Sequence, residues 1–446
     1  MWLYLSSYLT DNQSGYIPEL TRCPLLSSLR NNELIKNAAF LMGSNGFTQI
    51  ITLLLYPLIA RLFTPGEFGQ LAVIVSLHGL LATAASVRYE QAIVLPEEDV
   101  QAADLFRLGW RIAMLFSLLI APVVFLIRHL GFLAADTELN RWFFLLGLMV
   151  LPAAYQQLGS GWCIRFRMFP AIAGATLVMG LSNVLLKVVT GLLHLRDGLL
   201  YAFLLAQIIT ALFLFVQIRR NRKLTPGTSA MLATARTYIN FPRYNLFTAL
   251  LNSFSGNLPV YILALYFSDS LTGQFSIALA LVFRPVSTYN GSVYQVLMQK
   301  VVALRHAGSE SWPVIRKYLS RTLLFAAGPA IILTILIPFI LKIYIGENWT
   351  DAGRFCQYLI PYAAFSMLCG PLAFIPNIFN RQLQALLVDI VYLILRAGAL
   401  ITGIILRNAY LGIGLFALAG IIVFAYQLIW YRGLILKSDH NRTIST

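Results

Sequence analysis

Four charged residues lie inside long apolar stretches of the sequence, where charges are rare. Lys187, Arg284 and Arg396 are cations, and Asp389 is an acid. A charge inside a membrane span costs about 2.5–3.5 kcal/mol on insertion scales, so it normally faces a cavity or a partner. Cations around a cavity would bind an anionic ligand through charge-assisted hydrogen bonds. The alternative for Asp389 and Arg396 is a structural pair that only joins helices.

Uncharged polar residues recur at intervals of three or four positions in two other segments. This spacing places each set on one face of a helix. Such residues either line a cavity or form hydrogen bonds between helices, and the second interpretation is favoured here. One set contains Asn45, Gln49, Thr52 and Tyr56, and the other contains Asn245, Thr248, Asn252 and Ser255.

Further charged residues lie near the ends of apolar segments. Arg61 precedes a turn and is expected at the rim of the membrane on the non-cytoplasmic side. Arg88 and Glu90 are predicted to form a gate pair, or else an ordinary interfacial ion pair worth under about 1 kcal/mol. His78 could exchange a proton near neutral pH, although a histidine with satisfied hydrogen bonds is the favoured interpretation. If an ion gradient drives the protein, Asp389, Glu90 and His78 are the candidate coupling residues.

The elements that must position these side chains are membrane-spanning helices. Of the 446 residues, 58% are hydrophobic and 11% are charged, whereas a soluble domain carries about 25% charged residues. The composition therefore indicates an all-α integral membrane protein. Apolar windows long enough to cross a bilayer predict twelve spans. They lie at 38–60, 67–87, 109–128, 142–163, 170–193, 198–218, 245–267, 271–296, 322–344, 355–379, 383–406 and 410–431.

The charge balance predicts how these spans are oriented. The chain has 33 Lys and Arg against 18 Asp and Glu, and in a membrane protein this excess marks cytoplasmic loops rather than nucleic-acid binding. With the N-terminus inside, 23 cations fall in cytoplasmic segments and 7 on the opposite side, so both termini are predicted to be cytoplasmic. No connection is long enough for a folded catalytic domain, and the 4 cysteines show no metal-binding spacing. We therefore expect no enzyme, no cofactor and no metal site.

A weak internal repeat divides the spans into two groups of six. A shift of 204 positions aligns "LFTPGEFGQLAVI" (62–74) with "YFSDSLTGQFSIA" (266–278). Both segments join the first and second spans of their half, which predicts two six-helix lobes related by a pseudo-two-fold axis along the membrane normal. Thr64, Pro65 and Glu67 form a capping-box pattern that would start the second span sharply. The predicted regions are a cytoplasmic extension (1–28), a first lobe (29–218), a basic linker (219–243), a second lobe (244–432) and a cytoplasmic tail (433–446).

Five segments give the chain a resemblance to a known family. They are "LIKNAAFLMGSNGFTQI" (34–50), "PLIARLFTPGEFGQLAVIVSL" (57–77), "VRYEQAIVLP" (87–96), "FPRYN" (241–245) and "LTGQFSIALALVFRPVS" (271–287). The chain resembles the polysaccharide transport family of flippases (the Wzx O-antigen type). That family belongs to the multidrug/oligosaccharidyl-lipid/polysaccharide superfamily. Over the rest of the chain the likeness is in hydropathy alone.

The resemblance implies a substrate and a location. Members are thought to move undecaprenyl-diphosphate-linked oligosaccharide repeat units across the bacterial inner membrane, for O-antigen, capsule or exopolysaccharide. The expected partners are this lipid-linked oligosaccharide, the lipid bilayer, and a polysaccharide polymerase with its chain-length protein, with no nucleic acid. One alternative is a multidrug exporter of the same superfamily, whose often cationic substrates fit the buried cations poorly. A membrane polysaccharide polymerase is a further alternative, although the external connections are short for one.

Overall fold

The computed structural model describes residues 33–130, 140–220, 231–239, 241–306, 309–379 and 381–443, and all regular structure within them is helical. The predicted extension 1–28 lies outside these ranges, as do residues 221–230 and 240 of the predicted linker. Twelve helices in the described ranges have 20 or more residues. They are α1 (Glu33–Leu62), α2 (Pro65–Ala85), α3 (Asp99–His129), α4 (Asn140–Arg165), α5 (Phe169–Leu192), α6 (Gly198–Arg220), α7 (Leu246–Tyr266), α8 (Asp269–His306), α9 (Trp312–Ile345), α10 (Thr350–Cys369), α11 (Gln382–Ile405) and α12 (Ala409–Thr443).

The shorter elements join these helices. A single turn, Tyr89–Ala92, follows α2, and Met231–Thr237 with a π turn at Phe241–Asn245 precedes α7. Turns of 3-10 helix at Glu347–Trp349 and Gly370–Leu372 flank α10, and Ile375–Ile378 is a last short helix before α11. Each predicted span therefore overlaps one long helix.

Ten helices in the described part of the chain are long and apolar enough to cross a membrane. A helix satisfies its own backbone hydrogen bonds, which is what the hydrocarbon interior of a bilayer requires. The two long helices outside this set are α1 and α8. Both carry polar side chains on a face that is turned inward, as described below.

The start of α2 is a capping box, as the sequence predicts. The backbone N–H of Glu67 donates to Thr64 Oγ1 at 3.3 Å, and the N–H of Thr64 donates to Glu67 Oε2 at 2.7 Å. Pro65 occupies the first helical turn, where its missing N–H costs no hydrogen bond. At the repeated position the N–H of Leu271 donates to the hydroxyl of Ser268 at 3.2 Å, so the second copy keeps a simpler cap.

The two halves of the chain meet chiefly where α2 packs against α8 and α7. One cluster of buried apolar side chains runs through both halves at this contact. We call the end of the molecule where α1 passes into α2 the turn end. The halves are in closest contact at the turn end, and the cause is a pair of glycines.

Gly69 and Gly273 allow the backbones of α2 and α8 to touch. A Cβ on Gly69 would lie 1.9 Å from the carbonyl oxygen of Asp269, and a Cβ on Gly273 would lie 1.8 Å from that of Pro65. With the repeat shift of 204, Pro65 corresponds to Asp269 and Gly69 corresponds to Gly273. Gly69 contacts Asp269, and Gly273 contacts Pro65, which is the counterpart of Asp269 in the first half. The two contacts are therefore equivalent under the repeat. Reciprocal contacts of this kind are what the predicted pseudo-two-fold axis would produce.

Aromatic side chains seal the turn end around this crossing. Trp349 is 1% exposed, donates its indole N–H to the carbonyl of Ala60 at 3.0 Å, and packs edge-on against Phe68 at 5.2 Å between ring centroids. The hydroxyl of Tyr344 also donates to the carbonyl of Leu53. These contacts join the second half to the first by hydrogen bonds that would be costly to leave unmade in a bilayer.

The opposite end of the molecule is held by two charged side chains. Arg165, at the end of α4, donates to Asp99 Oδ1 at 3.0 Å and to three backbone carbonyls between Ile93 and Glu97. Asp439, near the end of α12, accepts the backbone N–H groups of Ser311 and Trp312 at 3.1 and 3.0 Å. A carboxylate at the start of α9 satisfies orphan donors and complements the helix dipole.

Candidate functional site

A cavity of about 680 Å³ lies between the two halves, next to the crossing of α2 and α8. The first half contributes α1, α2, α5 and α6, and the second contributes α7 and α8. Its size falls within the range of small-molecule binding sites. The polar and charged side chains on its wall are Thr48, Gln49, Thr52, Tyr56, Ser76, Asn183, Lys187, Asn257, Ser276, Arg284 and Ser287.

Two of the cations that the sequence singles out meet in this cavity. Lys187 comes from α5 in the first half and Arg284 from α8 in the second, and both line the wall. Arg284 lies close enough to Lys187 and to the phenol of Tyr56 to interact electrostatically with both groups. Neither cation forms an ion pair with a carboxylate of the described residues, and none of the described residues on the wall is acidic. The cavity therefore carries an unbalanced positive charge in an apolar surrounding, which favours an anionic ligand.

The polar residues near Lys187 on α5 are only partly turned into the cavity. Asn183, one helical turn before Lys187, lines the wall. Thr190 instead donates its hydroxyl to the carbonyls of Leu186 and Gly198, at 2.8 and 3.1 Å, and is buried between α5 and α6. Because backbone carbonyls accept the Thr190 hydroxyl, it does not require a hydrogen-bond partner in the cavity.

The polar stripe of α1 also faces the cavity. Gln49, Thr52 and Tyr56 lie on the wall, whereas Asn45 is exposed and outside it. The hydroxyl of Thr52 donates within its own helix, to the carbonyl of Thr48 at 2.8 Å. Gln49 therefore faces the cavity, whereas the sequence favoured hydrogen bonds between helices for this set of residues.

On α7, the polar residue that lines the cavity is Asn257 and not the predicted Asn252. Asn252 is exposed and outside the cavity wall, and Asn257 lies on the wall together with Val260. Asn257 donates to the carbonyl of Ser253 at 2.9 Å. The polar stripe picked from the spacing lies on another face of α7, because periodicity defines a face but not the direction in which it points. Asn257 falls outside the predicted set because it lies five positions after Asn252, off the spacing of three or four residues.

Arg396 lies within the second half and not on the wall of this cavity. Its Nη2 donates to the hydroxyl of Tyr362 at 2.6 Å, and its guanidinium stacks over the rings of Tyr392 and Phe416 at 4.0 and 4.6 Å. Asp389 is exposed, and the described residues contain no ion pair between it and Arg396. Aromatic faces and a phenol oxygen take the place of the acidic partner that the spacing suggested.

The family of the chain follows from a sequence comparison. The profile of the family described as "Polysaccharide biosynthesis protein" matches residues 58–354, which is more than half of the chain. The chain belongs to this family. A search of curated proteins finds no match.

Solved structures similar to this polysaccharide biosynthesis protein are membrane transporters. The lipid II flippase MurJ, in an inward closed conformation, is 14% identical, with 91% of this chain and 90% of that chain covered and a TM-score of 0.65. An inward-facing multidrug resistance MATE transporter is 13% identical, with 87% and 95% covered and a TM-score of 0.58. A MOP-superfamily transporter from Pyrococcus furiosus is 14% identical, with 90% and 94% covered and a TM-score of 0.56. At these identities the likeness establishes the fold, which is that of multi-pass MOP-superfamily transporters.

The rim residues of this polysaccharide biosynthesis protein occupy two different places. Arg61 is exposed in the last turn of α1, at the turn end. Arg88 Nη1 and Glu90 Oε1 form an ion pair at 3.3 Å near the opposite end, and Ser86 donates to Glu90 at 2.6 Å. His78 is buried, and its Nε2 lies 3.1 Å from the carbonyl oxygen of Met149, so one ring nitrogen has a hydrogen-bond partner.

Proposed function

We propose that this protein flips undecaprenyl-diphosphate-linked oligosaccharide repeat units across the bacterial inner membrane. The observation that carries the proposal is the meeting of Lys187 and Arg284, one from each half, in a cavity whose described wall has no acid. A diphosphate supplies two adjacent anionic groups, and two cations from different helices can bind it by charge-assisted hydrogen bonds.

The physical chemistry of the substrate explains why such a cavity is needed. Each unpaired hydroxyl moved into hydrocarbon costs about 4–8 kcal/mol on the scale in which nothing replaces water. A bare oligosaccharide therefore faces a prohibitive barrier, while its lipid tail gains about 0.8 kcal/mol per buried CH₂ and stays in the bilayer. The amide and hydroxyl side chains on the wall, with Gln49, Asn183 and Asn257 among them, offer hydrogen bonds in place of water.

The contacts between the halves support a state that is open toward the cytoplasm. The balance of Lys and Arg predicts that the turn end faces away from the cytoplasm, and that is the end where Gly69, Gly273 and Trp349 bring the halves together. The reciprocal glycine contacts support the proposed pseudo-two-fold axis between two six-helix lobes. Alternating access would require this crossing to separate while the opposite end closes.

Removing the two cations tests the proposed diphosphate site. We expect Lys187→Met and Arg284→Met each to lower export of the surface polysaccharide about tenfold or more, since a hydrogen bond to a charged group contributes about 1.5–3 kcal/mol. The measurement is surface polymer by immunoblot in cells lacking the chromosomal copy, normalised to protein level. Lys342→Met is the matched control, because Lys342 is exposed and pairs with Glu347 outside the cavity.

Two results would overturn the proposal. In a strain that lacks the protein and any substitute flippase, the lipid-linked repeat unit should stay on the cytoplasmic face, and normal surface sugar there would refute the function. Unchanged export by both Met variants at normal protein level would remove Lys187 and Arg284 from the binding site. A multidrug exporter would instead change susceptibility to cationic drugs, and cations on the wall disfavour such substrates.

A further inference from the structure

A second cavity lies inside the first half, on the other side of α2 from the central one. It measures about 770 Å³, is open at one end, and is lined by α2, α4, α6 and the segment that follows α2. His78, Gly79 and Ala153 lie at its inner end. Its mouth is at the end of the molecule opposite the turn end, where Val94 and Ile164 are 41% and 46% exposed. No residue of the wall is shared with the central cavity.

The wall of this cavity is mainly apolar, and the polar side chains on it carry no net fixed charge. Arg88 and Glu90 form the ion pair described above, so their charges cancel. The remaining polar side chains are chiefly amides, namely Gln91, Gln156, Gln157 and Gln207, together with Ser160. The described residues contain no cluster of His, Cys, Asp and Glu that could hold a metal ion. A neutral ligand therefore fits this wall better than an ion does.

The polar groups on this wall differ in their hydrogen bonding. Gln156 donates to the carbonyl and the side-chain oxygen of Gln207 at 2.9 and 2.7 Å, which fixes both amides. By contrast, Gln157 Oε1 and Arg88 Nε are buried and have no hydrogen-bond partner among the described residues. An orphan acceptor and an orphan donor in one cavity require a guest that can both donate and accept. Hydroxyl groups do so, and a sugar carries several on a rigid ring.

The mouth of the cavity is rigidly built. Val87 and Arg88 both adopt left-handed backbone conformations, with φ of 45° and 67°, and such a conformation is costly for a β-branched residue. The segment packs closely against α4 at Gly161, where an added Cβ would lie 2.4 Å from the carbonyl oxygen of Glu90. Arg165 also donates hydrogen bonds to the carbonyls that follow Glu90. The ion pair with Glu90 then places the Arg88 guanidinium at the edge of the amide wall.

We propose that this cavity in the first half is a sugar-binding subsite, which takes uncharged sugar residues of the translocated oligosaccharide beyond the first. The inference rests on the proposed function, because it assumes a lipid-linked oligosaccharide as the substrate. In this arrangement the central cations hold the diphosphate, and the amide wall holds hydroxyl groups farther along the sugar chain.

Binding of a complete and a truncated substrate tests the subsite. The ligands are the polyprenyl diphosphate bearing the complete repeat unit and the same lipid bearing only its first sugar, and the protein is the full chain in lipid nanodiscs. We expect Gln157→Met to raise the Kd for the complete unit about two- to tenfold, as for one lost hydrogen bond, and to leave the Kd for the single-sugar lipid unchanged. Lys187→Met should raise both Kd values.

The controls separate the subsite from folding and from the proposed function. Gln91→Met, at an exposed position of the mouth, should show the same pattern as Gln157→Met, and it keeps the test valid if the buried variant fails to fold. Gln382→Met, at the exposed start of α11, should leave both Kd values unchanged. Equal effects of Gln157→Met on both lipids, or none on the complete unit, would show that the cavity holds only water and would overturn the subsite. Failure of the wild-type protein to bind either lipid would overturn the proposed function instead.

Discussion

Replacing Gly273 with alanine should open the contact between the two halves at the turn end. The added Cβ would lie 1.8 Å from the carbonyl oxygen of Pro65 and within 2.7 Å of the Gly69 nitrogen. Both neighbours are backbone atoms and cannot rotate away. Ordinary van der Waals contact begins near 3.4 Å, so in a close-packed interior α2 and α8 must separate by roughly 1.6 Å.

The cost of this separation sets the expected effect. Overpacking of a close contact costs about 1–3 kcal/mol. If the cost falls only on the state in which the turn end is closed, the equilibrium with an open state shifts about 5- to 150-fold. The variant should therefore expose the central cavity at the turn end, while its individual helices stay intact.

Labelling of an engineered cysteine measures the shift. Leu71 lines the central cavity and is 8% exposed, so a cysteine placed there should react slowly with a membrane-impermeant maleimide added from the turn side. We expect Gly273→Ala to raise the labelling rate by a factor in the range given above. Gly69→Ala should do the same, because its Cβ would lie 1.9 Å from the carbonyl oxygen of Asp269.

Gly291→Ala provides the control, since it lies in the same helix and nothing is within 4 Å of its added Cβ. It should label at the rate of the parent protein. Equal labelling in all three variants would refute the crossing as the closed end. A large effect of Gly273→Ala with none of Gly69→Ala would contradict the reciprocal geometry that supports the pseudo-two-fold axis.

Two further predictions concern the opposite end of the molecule. Arg165→Lys should lower the free energy of unfolding by about 1–3 kcal/mol, because an ammonium cannot serve Asp99 and several carbonyls at once, whereas Arg167→Lys at an exposed position should not. Asp439→Asn should cost about 1–2 kcal/mol through loss of the charged cap on α9, with Asp389→Asn, at an exposed position within α11, as control. Thermal unfolding in detergent measures both, and melting temperatures equal to those of the controls would contradict them.

Much of the fold could be predicted because its causes are local. Each long helix overlaps one of the predicted spans, since a helix is the structure that satisfies its own backbone in a bilayer. The capping box at Thr64 could also be predicted, because all its atoms come from four consecutive residues. Lys187 and Arg284 could be singled out because a charge in an apolar run needs a polar environment wherever the helix lies.

The site was less predictable, because it depends on how the helices are turned. Spacing alone pointed to Asn252 and Arg396, but Asn257 lies on the cavity wall and Arg396 stacks among aromatic rings of its own half. In the sequence, Arg165 is only one of the cations predicted to be cytoplasmic. Nothing local to it indicates the backbone carbonyls that it binds in the structure.

By itself the sequence determined a membrane protein of twelve long helices, the start of α2, and two cations that need a polar partner. Only the tertiary structure decided that Lys187 and Arg284 share one cavity, that Gly69 and Gly273 touch reciprocally, and that Arg88 borders a second cavity with an amide wall. The physical reason is that hydropathy and capping act within a few residues, whereas the direction of a helical face is set by neighbouring helices from distant parts of the chain.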